Sequence, residues 1–271
     1  MKKVAIIGGG QLAEAMVAGL IKSGYDPQLI WVTNRQVVRQ QYFNDTYGVR
    51  AGTANVDALA WCDMVALAVK PYQVKDVCMD IASHVGDKPL ISLAAGINLD
   101  ALQGWLTAKA QVFRAMPNVA MRVQQGVVAF CATERVGLVT REEVQQLFSR
   151  VGHVVWLDDE SHFSVVTAIS GSGPAYYFLL SESLIEAAQA LGLSYSLAKQ
   201  LVNQTAYGSI EVARESNVDW NLLRQQVTSP NGTTDAAISW LSKSHFSEII
   251  LSAVKAAASR AEELHLDIDT Q

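Results

Sequence analysis

Along residues 1–160, short runs of β-branched and other apolar residues alternate with stretches whose apolar positions recur at helical spacing. The runs at 4–7, 29–32, 64–69, 90–93 and 111–115 predict parallel strands, and those at 127–131 and 154–156 predict two more that close the sheet. Strands that alternate with helices in this way imply an α/β fold, a doubly wound sheet with helices on both faces. From Ser161 the strand-like runs stop. Long Ala/Leu/Ser/Glu segments follow at 161–191, 194–215 and 245–265, with shorter helical stretches at 219–227 and 233–241. Gly192 and the polar stretch 217–219 supply the breaks. The pattern therefore predicts two domains, a nucleotide-binding one at 1–160 and an all-helical one at 161–271. The first long helix is apolar on too many sides for a solvated surface helix, which predicts that a partner subunit covers it.

Composition narrows the class. The chain has 271 residues, half of them hydrophobic and 17% charged, with a net charge of −5. That describes a globular protein with no general electrostatic attraction to nucleic acid or to an anionic membrane. Only four apolar residues separate Met-Lys-Lys from three glycines, so neither a signal peptide nor a membrane span is expected, and the cytoplasm is the expected compartment. Cys62, Cys78 and Cys131 are few and widely spaced, as suits small core residues in a reducing compartment. The histidines show no ligand-like spacing, and no metal site is expected.

The first strand runs directly into Gly8-Gly9-Gly10-Gln11-Leu12-Ala13, a glycine fingerprint of the form G-x-G-x-x-A that opens a helix. Gly8 permits the tight turn, Gly10 lets backbone approach a pyrophosphate, and Ala13 permits close helix packing. The helix start then offers N–H groups and a positive dipole end to phosphates. The second strand ends in Thr33-Asn34-Arg35, where NAD enzymes usually carry a carboxylate for the ribose 2′-hydroxyl. Arg35 can pair with a 2′-phosphate and Asn34 can add a hydrogen bond, so NADPH is expected in preference to NADH.

Four further segments accompany the glycine loop: Ala68-Val69-Lys70-Pro71, Ala94-Ala95-Gly96, Ser170-Gly171-Ser172-Gly173-Pro174-Ala175-Tyr176, and Val227-Thr228-Ser229-Pro230-Asn231-Gly232-Thr233-Thr234. In this order and spacing the chain resembles the pyrroline-5-carboxylate reductases over almost its whole length. The resemblance implies a Rossmann domain followed by a helical domain that builds a homodimer, with dimers joined into decamers in some members. It implies cofactor contacts at Ile7, Gly8, Gly9, Gly10, Gln11, Leu12, Asn34, Arg35 and Asn55. Further cofactor contacts fall on Ala68, Val69, Lys70, Pro71, Ala94, Ala95 and Gly96. It also implies a small-molecule substrate, a cyclic imine, held by Ser229, Asn231, Gly232, Thr233 and Thr234. One departure stands out: Asn231 occupies the third position of the family's Ser-Pro-Gly-Gly turn.

An iminium carbon is already electrophilic, so its reduction needs a hydride donor held face to face with it and a group that favours the protonated imine. Thr234 suits the ring nitrogen, while Gly232 and Thr233 can offer N–H groups to a carboxylate. A threonine ahead of Asp235-Ala236-Ala237 can equally serve only as a helix cap. Ser172 lacks the glycine two residues before it that a nucleophile elbow requires. Two other classes remain open. One is another NADP-dependent imine or β-hydroxyacid oxidoreductase, although the β-hydroxyacid branch depends on a lysine in the first long helix and no lysine or arginine lies between Glu160 and Ala198. The other is a non-catalytic NADP-binding protein.

Overall fold

The computed structural model describes residues 1–269, with residues 265–269 described in backbone alone. The chain forms two compact units, the first made of residues 1–172 and the chain from Lys255 onward, the second of Gly173–Val254.

The first unit is built on eight strands: β1 (Val4–Ile7), β2 (Ile30–Thr33), β3 (Arg50–Gly52), β4 (Met64–Leu67), β5 (Pro89–Ser92), β6 (Gln111–Met116), β7 (Gly126–Ala132) and β8 (Gly152–Trp156). Their order in the sheet is β3-β2-β1-β4-β5-β6-β7-β8. Every pairing is parallel except that of β6 with β7. The expected doubly wound sheet is present, and β3 adds a strand at its edge. Arg50-Ala51-Gly52 is too short and too polar to register as an apolar run.

The central strands are apolar throughout because both faces are covered. Val4 and Ile6 face one core and Ala5 and Ile7 the other; Met64 and Ala66 alternate with Val65 and Leu67 in the same way. Helices α1 (Gln11–Lys22), α2 (Val37–Tyr47), α3 (Asn55–Trp61), α4 (Val74–Val85), α5 (Leu99–Trp105) and α6 (Leu138–Phe148) cover the two faces. Met16, Val17 and Leu20 of α1 are spaced to share one stripe and are fully buried in the first core. Each such side chain contributes roughly 1.5–3 kcal/mol relative to exposure. On the other face α4 buries Val74, Cys78, Ile81 and Val85 at the same helical spacing.

The expected long helix at 161–191 is not uniform. It comprises α7 (Phe163–Val166), a π turn at Thr167–Gly171 and α8 (Gly173–Ala190). The wider turn is closed by the Ser172 N–H donating to the Thr167 carbonyl at 2.9 Å. Residues 161–172 pack with the sheet, so the packing boundary lies beyond the sequence division at 160. Arg114 on β6 forms an ion pair with Glu160 at 2.7 Å, and its guanidinium lies 4.2 Å from the centre of the buried Phe163 ring.

The second unit contains α8, α9 (Tyr195–Glu215), α10 (Trp220–Gln226), α11 (Thr233–Lys243) and the first part of α12 (Phe246–Asp269). From Lys255 α12 belongs to the first unit, where Glu262 accepts from the Ser164 hydroxyl at 3.0 Å. The end of the expected second domain at 271 lies outside the described residues. Between Gly173 and Val254 only Gly173 and Ala198 are buried. Tyr177, Phe178, Leu179 and Trp240 are each more than 60% exposed, so this chain alone gives these helices almost no core. The helical run Glu160–Ala190 is also long and apolar enough to cross a membrane by length and composition, with a mean hydropathy of 1.2. Glu182 and Glu186 sit on α8 and would be costly in hydrocarbon.

Candidate cofactor and substrate sites

In a parallel sheet the carboxyl ends of the strands share one edge, and ligands bind there where the strand order reverses. Here the reversal lies between β1 and β4. The Gly8–Gly10 loop leaves β1 at that point, Asn34 and Arg35 follow β2, Ala68–Pro71 follow β4, and Ala94–Gly96 follow β5. The four segments are tied together. The Gly8 N–H donates to the Thr33 carbonyl at 2.9 Å, the Ala68 N–H to Ile7 at 2.8 Å, and the Leu93 N–H to Leu67 at 2.9 Å. Asn55 joins them by accepting from the Thr33 hydroxyl at 2.7 Å. The structure thus brings all the sequence-predicted cofactor residues to one edge.

The three glycines of the loop differ in what they require. Gly8 has φ +110°, and a Cβ there would lie 2.5 Å from the Ala68 carbonyl oxygen, so both backbone angle and space demand glycine. A Cβ on Gly9 would lie 2.6 Å from Asn34 Nδ2. Gly10, with φ −78° and ψ −174°, has an ordinary extended conformation and no atom within 4 Å of where a Cβ would stand. Nothing in the fold itself explains a glycine there. The space fits a bound group that approaches the backbone. Gly10 is also the N-cap of α1 and offers no side chain to cap it. The first helical bond runs from the Glu14 N–H to the Gly10 carbonyl, so the N–H groups of Gln11, Leu12 and Ala13 precede it and are available to phosphate. Leu12 packs against the first core, whereas Gln11 is exposed.

Asn34 is held by three bonds: its N–H donates to Gly52, its side-chain oxygen accepts the Gln36 N–H, and its carbonyl accepts Gln40 Nε2. Arg35 beside it is exposed, and among the described residues its guanidinium has no partner. Lys70 is exposed too, and Gln73 accepts its backbone N–H at 3.3 Å.

Three clusters escaped the sequence reading because their members lie far apart in the chain. Glu14 in the first turn of α1 accepts from Arg39 at 2.9 Å, Arg122 at 2.7 Å and Tyr42 at 3.0 Å. Glu160 accepts both Arg114 and the Leu99 N–H, linking the segment after β5 to the start of α7. Asn118, just after β6, donates to the Ser170 carbonyl at 3.0 Å within the π turn. A Cβ on Gly171 would sit 3.1 Å from Met116 Sδ, which accounts for one glycine of the Ser-Gly-Ser-Gly-Pro segment as a close approach to β6.

In the second unit, Ser229-Pro230-Asn231-Gly232 forms a turn closed by the Gly232 N–H donating to the Ser229 carbonyl at 3.0 Å. Asn231 has φ +59°, the left-handed conformation at the third position of a turn with proline at the second. Asparagine tolerates that conformation better than any residue with a larger side chain. The departure from the family's glycine therefore keeps the turn. A Cβ on Gly232 would lie 3.0 Å from the Ser229 carbonyl oxygen. The cap of α11 is Gly232, so neither threonine is the cap residue. Thr233 and Thr234 occupy the first two helical positions, and among the described residues neither hydroxyl has a hydrogen-bond partner. Their N–H groups precede the first helical bond, from Ala236 to Gly232.

The three cysteines are buried, and burial pushes the thiols of Cys62 and Cys131 up to about 11 and that of Cys78 up to about 12. They remain protonated and unreactive at neutral pH.

A Rossmann-type sheet with a glycine loop at its reversal point, joined to a helical segment whose apolar faces its own chain leaves bare, defines an oligomeric nicotinamide-nucleotide oxidoreductase. Residues 160–264 match the model of pyrroline-5-carboxylate reductase dimerisation, and residues 3–96 that of the coenzyme F420-dependent NADP oxidoreductases. The chain is 38% identical to pyrroline-5-carboxylate reductase of Pseudomonas aeruginosa over 97% of its own length and 96% of the relative. Its structure superposes on that of the Coxiella burnetii pyrroline-5-carboxylate reductase with TM-score 0.89 at 38% identity, covering 97% and 98% of the two chains. It also superposes on the Plasmodium falciparum pyrroline carboxylate reductase crystallised with NADP, with TM-score 0.89 at 28% identity and the same coverage. The chain belongs to the pyrroline-5-carboxylate reductase family.

Proposed function

We propose that this protein reduces the cyclic imine 1-pyrroline-5-carboxylate to L-proline with NADPH. The observation that carries the reading is the start of α11, where two unpartnered threonine hydroxyls and two free N–H groups stand on a turn held by Pro230, Asn231 and Gly232. That set is suited to a carboxylate and an adjacent ring nitrogen. The N–H groups of Gly232's successors receive the carboxylate, aided by Ser229, and the Thr234 hydroxyl steadies the nitrogen. Bound NADPH supplies the hydride that the imine carbon accepts while the nitrogen keeps its proton. The free N–H groups of Gln11–Ala13 hold the pyrophosphate, Gly10 leaves it room, and Arg35 with Asn34 takes the 2′-phosphate, so NADH binds more weakly.

Cofactor binding is assigned to residues 1–160 and substrate binding with dimerisation to residues 161–271. The working form is a cytoplasmic homodimer in which the partner subunit, not a membrane, covers the bare apolar faces of α8 and α9; a decamer of such dimers is the larger form to be sought by sedimentation. Oxidation of NADPH at 340 nm on addition of 1-pyrroline-5-carboxylate, with proline identified as product, tests the activity. Purified protein that binds NADPH and oxidises none of it in the presence of that substrate refutes it.

A further inference from the structure

The Glu14 cluster lies beside the glycine loop, and the functional reading above makes no use of it. We propose that Arg39 is a positioning residue for the dinucleotide: it pins the Gly9 carbonyl and cancels the Glu14 charge, so that the glycine loop is set for phosphate before the cofactor arrives. The proposal rests on the reading of that loop as the cofactor site and deepens it.

Two difficulties are built into this loop. Three successive glycines carry little conformational bias, and ordering each residue costs about 1–2 kcal/mol. A loop already held in its bound form avoids that cost at binding. The second difficulty is charge. Glu14 in the first turn of α1 suits the helix dipole, yet it sets a carboxylate close to N–H groups that must receive phosphate.

Arg39 meets both. Its Nε donates to the Gly9 carbonyl at 3.0 Å, and its Nη2 to Glu14 Oε2 at 2.9 Å. No peptide bond among the described residues is cis, so a Gly9 carbonyl turned toward Arg39 aims the Gly10 N–H the opposite way. The guanidinium is itself held, 4.6 Å from the Tyr42 ring centre and 5.0 Å from that of Phe43. With Arg122 also on Glu14, the three charges sum to +1 beside the cradle. Burial alone would raise the Glu14 pKa. Hydrogen bonds from Arg39 and Tyr42, with the charges of Arg122 and Arg39, hold it below the ordinary value, so the carboxylate is ionised and paired at neutral pH. Arg39 is thereby committed to the loop, in contrast to the unpartnered Arg35.

The test is a titration of NADPH and of NADH against the intact protein, with steady-state kinetics alongside. Arg39→Met keeps an unbranched side chain and removes the guanidinium, with both hydrogen bonds and its place over the two rings. We expect Kd and KM for both cofactors to rise by a common factor on the order of tenfold, as for the loss of charge-assisted hydrogen bonds. Turnover at saturating cofactor should fall no more than about twofold, since the chemistry is untouched. Arg39→Lys restores the charge without the fork to two acceptors and should recover part of the affinity. It carries the same comparison if Arg39→Met does not fold. Unchanged affinity for both cofactors overturns the proposal. So does a loss confined to NADPH, which would make Arg39 a reader of the 2′-phosphate. Gly10→Val separates the two readings, because no atom of the fold lies within 4 Å of where its Cβ would stand. If Gly10→Val abolishes binding while Arg39→Met leaves it intact, the positioning role alone fails. If Gly10→Val binds NADPH as the parent does, the glycine loop is not the site and both readings fall.

Discussion

The Asp235 carboxylate accepts the main-chain N–H of Asn231 at 3.0 Å, reaching back across the start of α11. It closes the turn from the helix side and leaves the Thr234 hydroxyl without a structural task. Thr234→Val should therefore melt within a degree or two of the parent yet turn over about 10–100-fold more slowly, at or below the low end of the roughly 10²–10⁴-fold that hydrogen bonding to a reacting group contributes. Thr234→Ser, which keeps the hydroxyl, should recover much of the rate. A Thr234→Val protein that is destabilised and fully active would return the residue to a capping role.

Arg35→Ala should weaken NADPH far more than NADH. A charge-assisted contact to the 2′-phosphate corresponds to roughly 1.5–3 kcal/mol, an order of magnitude or more in Kd. Titration of both cofactors checks this, and an equal loss for the two removes Arg35 from that role.

Acid should erase the contribution of Glu14 to stability. Its folded-state pKa is depressed, so it stabilises the fold at pH values above the unfolded carboxylate pKa of about 4.3. That contribution disappears as the pH falls through the lower folded value. The melting temperatures of the parent and of Glu14→Gln should differ most near pH 7 and converge on acidification toward pH 3. A gap that widens toward acid would contradict the pairing seen around this carboxylate.

Removing Glu160 should be costly. Arg114 is buried, and among the described residues its Nε has no partner, so Glu160→Gln leaves a cation with little compensation. Breaking a buried pair costs about 3–5 kcal/mol, and the partial exposure of Glu160 lowers the expectation to about 1–3 kcal/mol. Arg114→Met with Glu160→Gln should be closer to the parent than Glu160→Gln alone. Denaturant unfolding of the three proteins measures the difference.

What could be read from the sequence was what depends on local spacing. β1 has the bounds its apolar run implied, and the glycine fingerprint sits at the sheet's reversal point because a strand, a turn and a helix follow one another within a few residues. β3 could not be read, since Arg50-Ala51-Gly52 carries no period and is a strand only because Trp31–Thr33 lies beside it. The π turn was hidden in an apolar helical pattern, and Met116, which lies against its Gly171, comes from a distant strand. Asn231 departs from the family's glycine, and its φ of +59° shows that the turn asks for a backbone angle rather than for glycine. Glu14, Arg39 and Arg122 each pass for a solvated charge when read singly. Only the fold collects them.

The near-absence of a core between Gly173 and Val254 ties the stability of these helices to association. Dilution then acts on this protein as a denaturant does, and its melting temperature should climb with the logarithm of its own concentration. In a cell, newly made chains stay vulnerable to proteases until each meets another. Abundance thus sets lifetime, and scarce expression would deplete the enzyme by more than the fall in its synthesis.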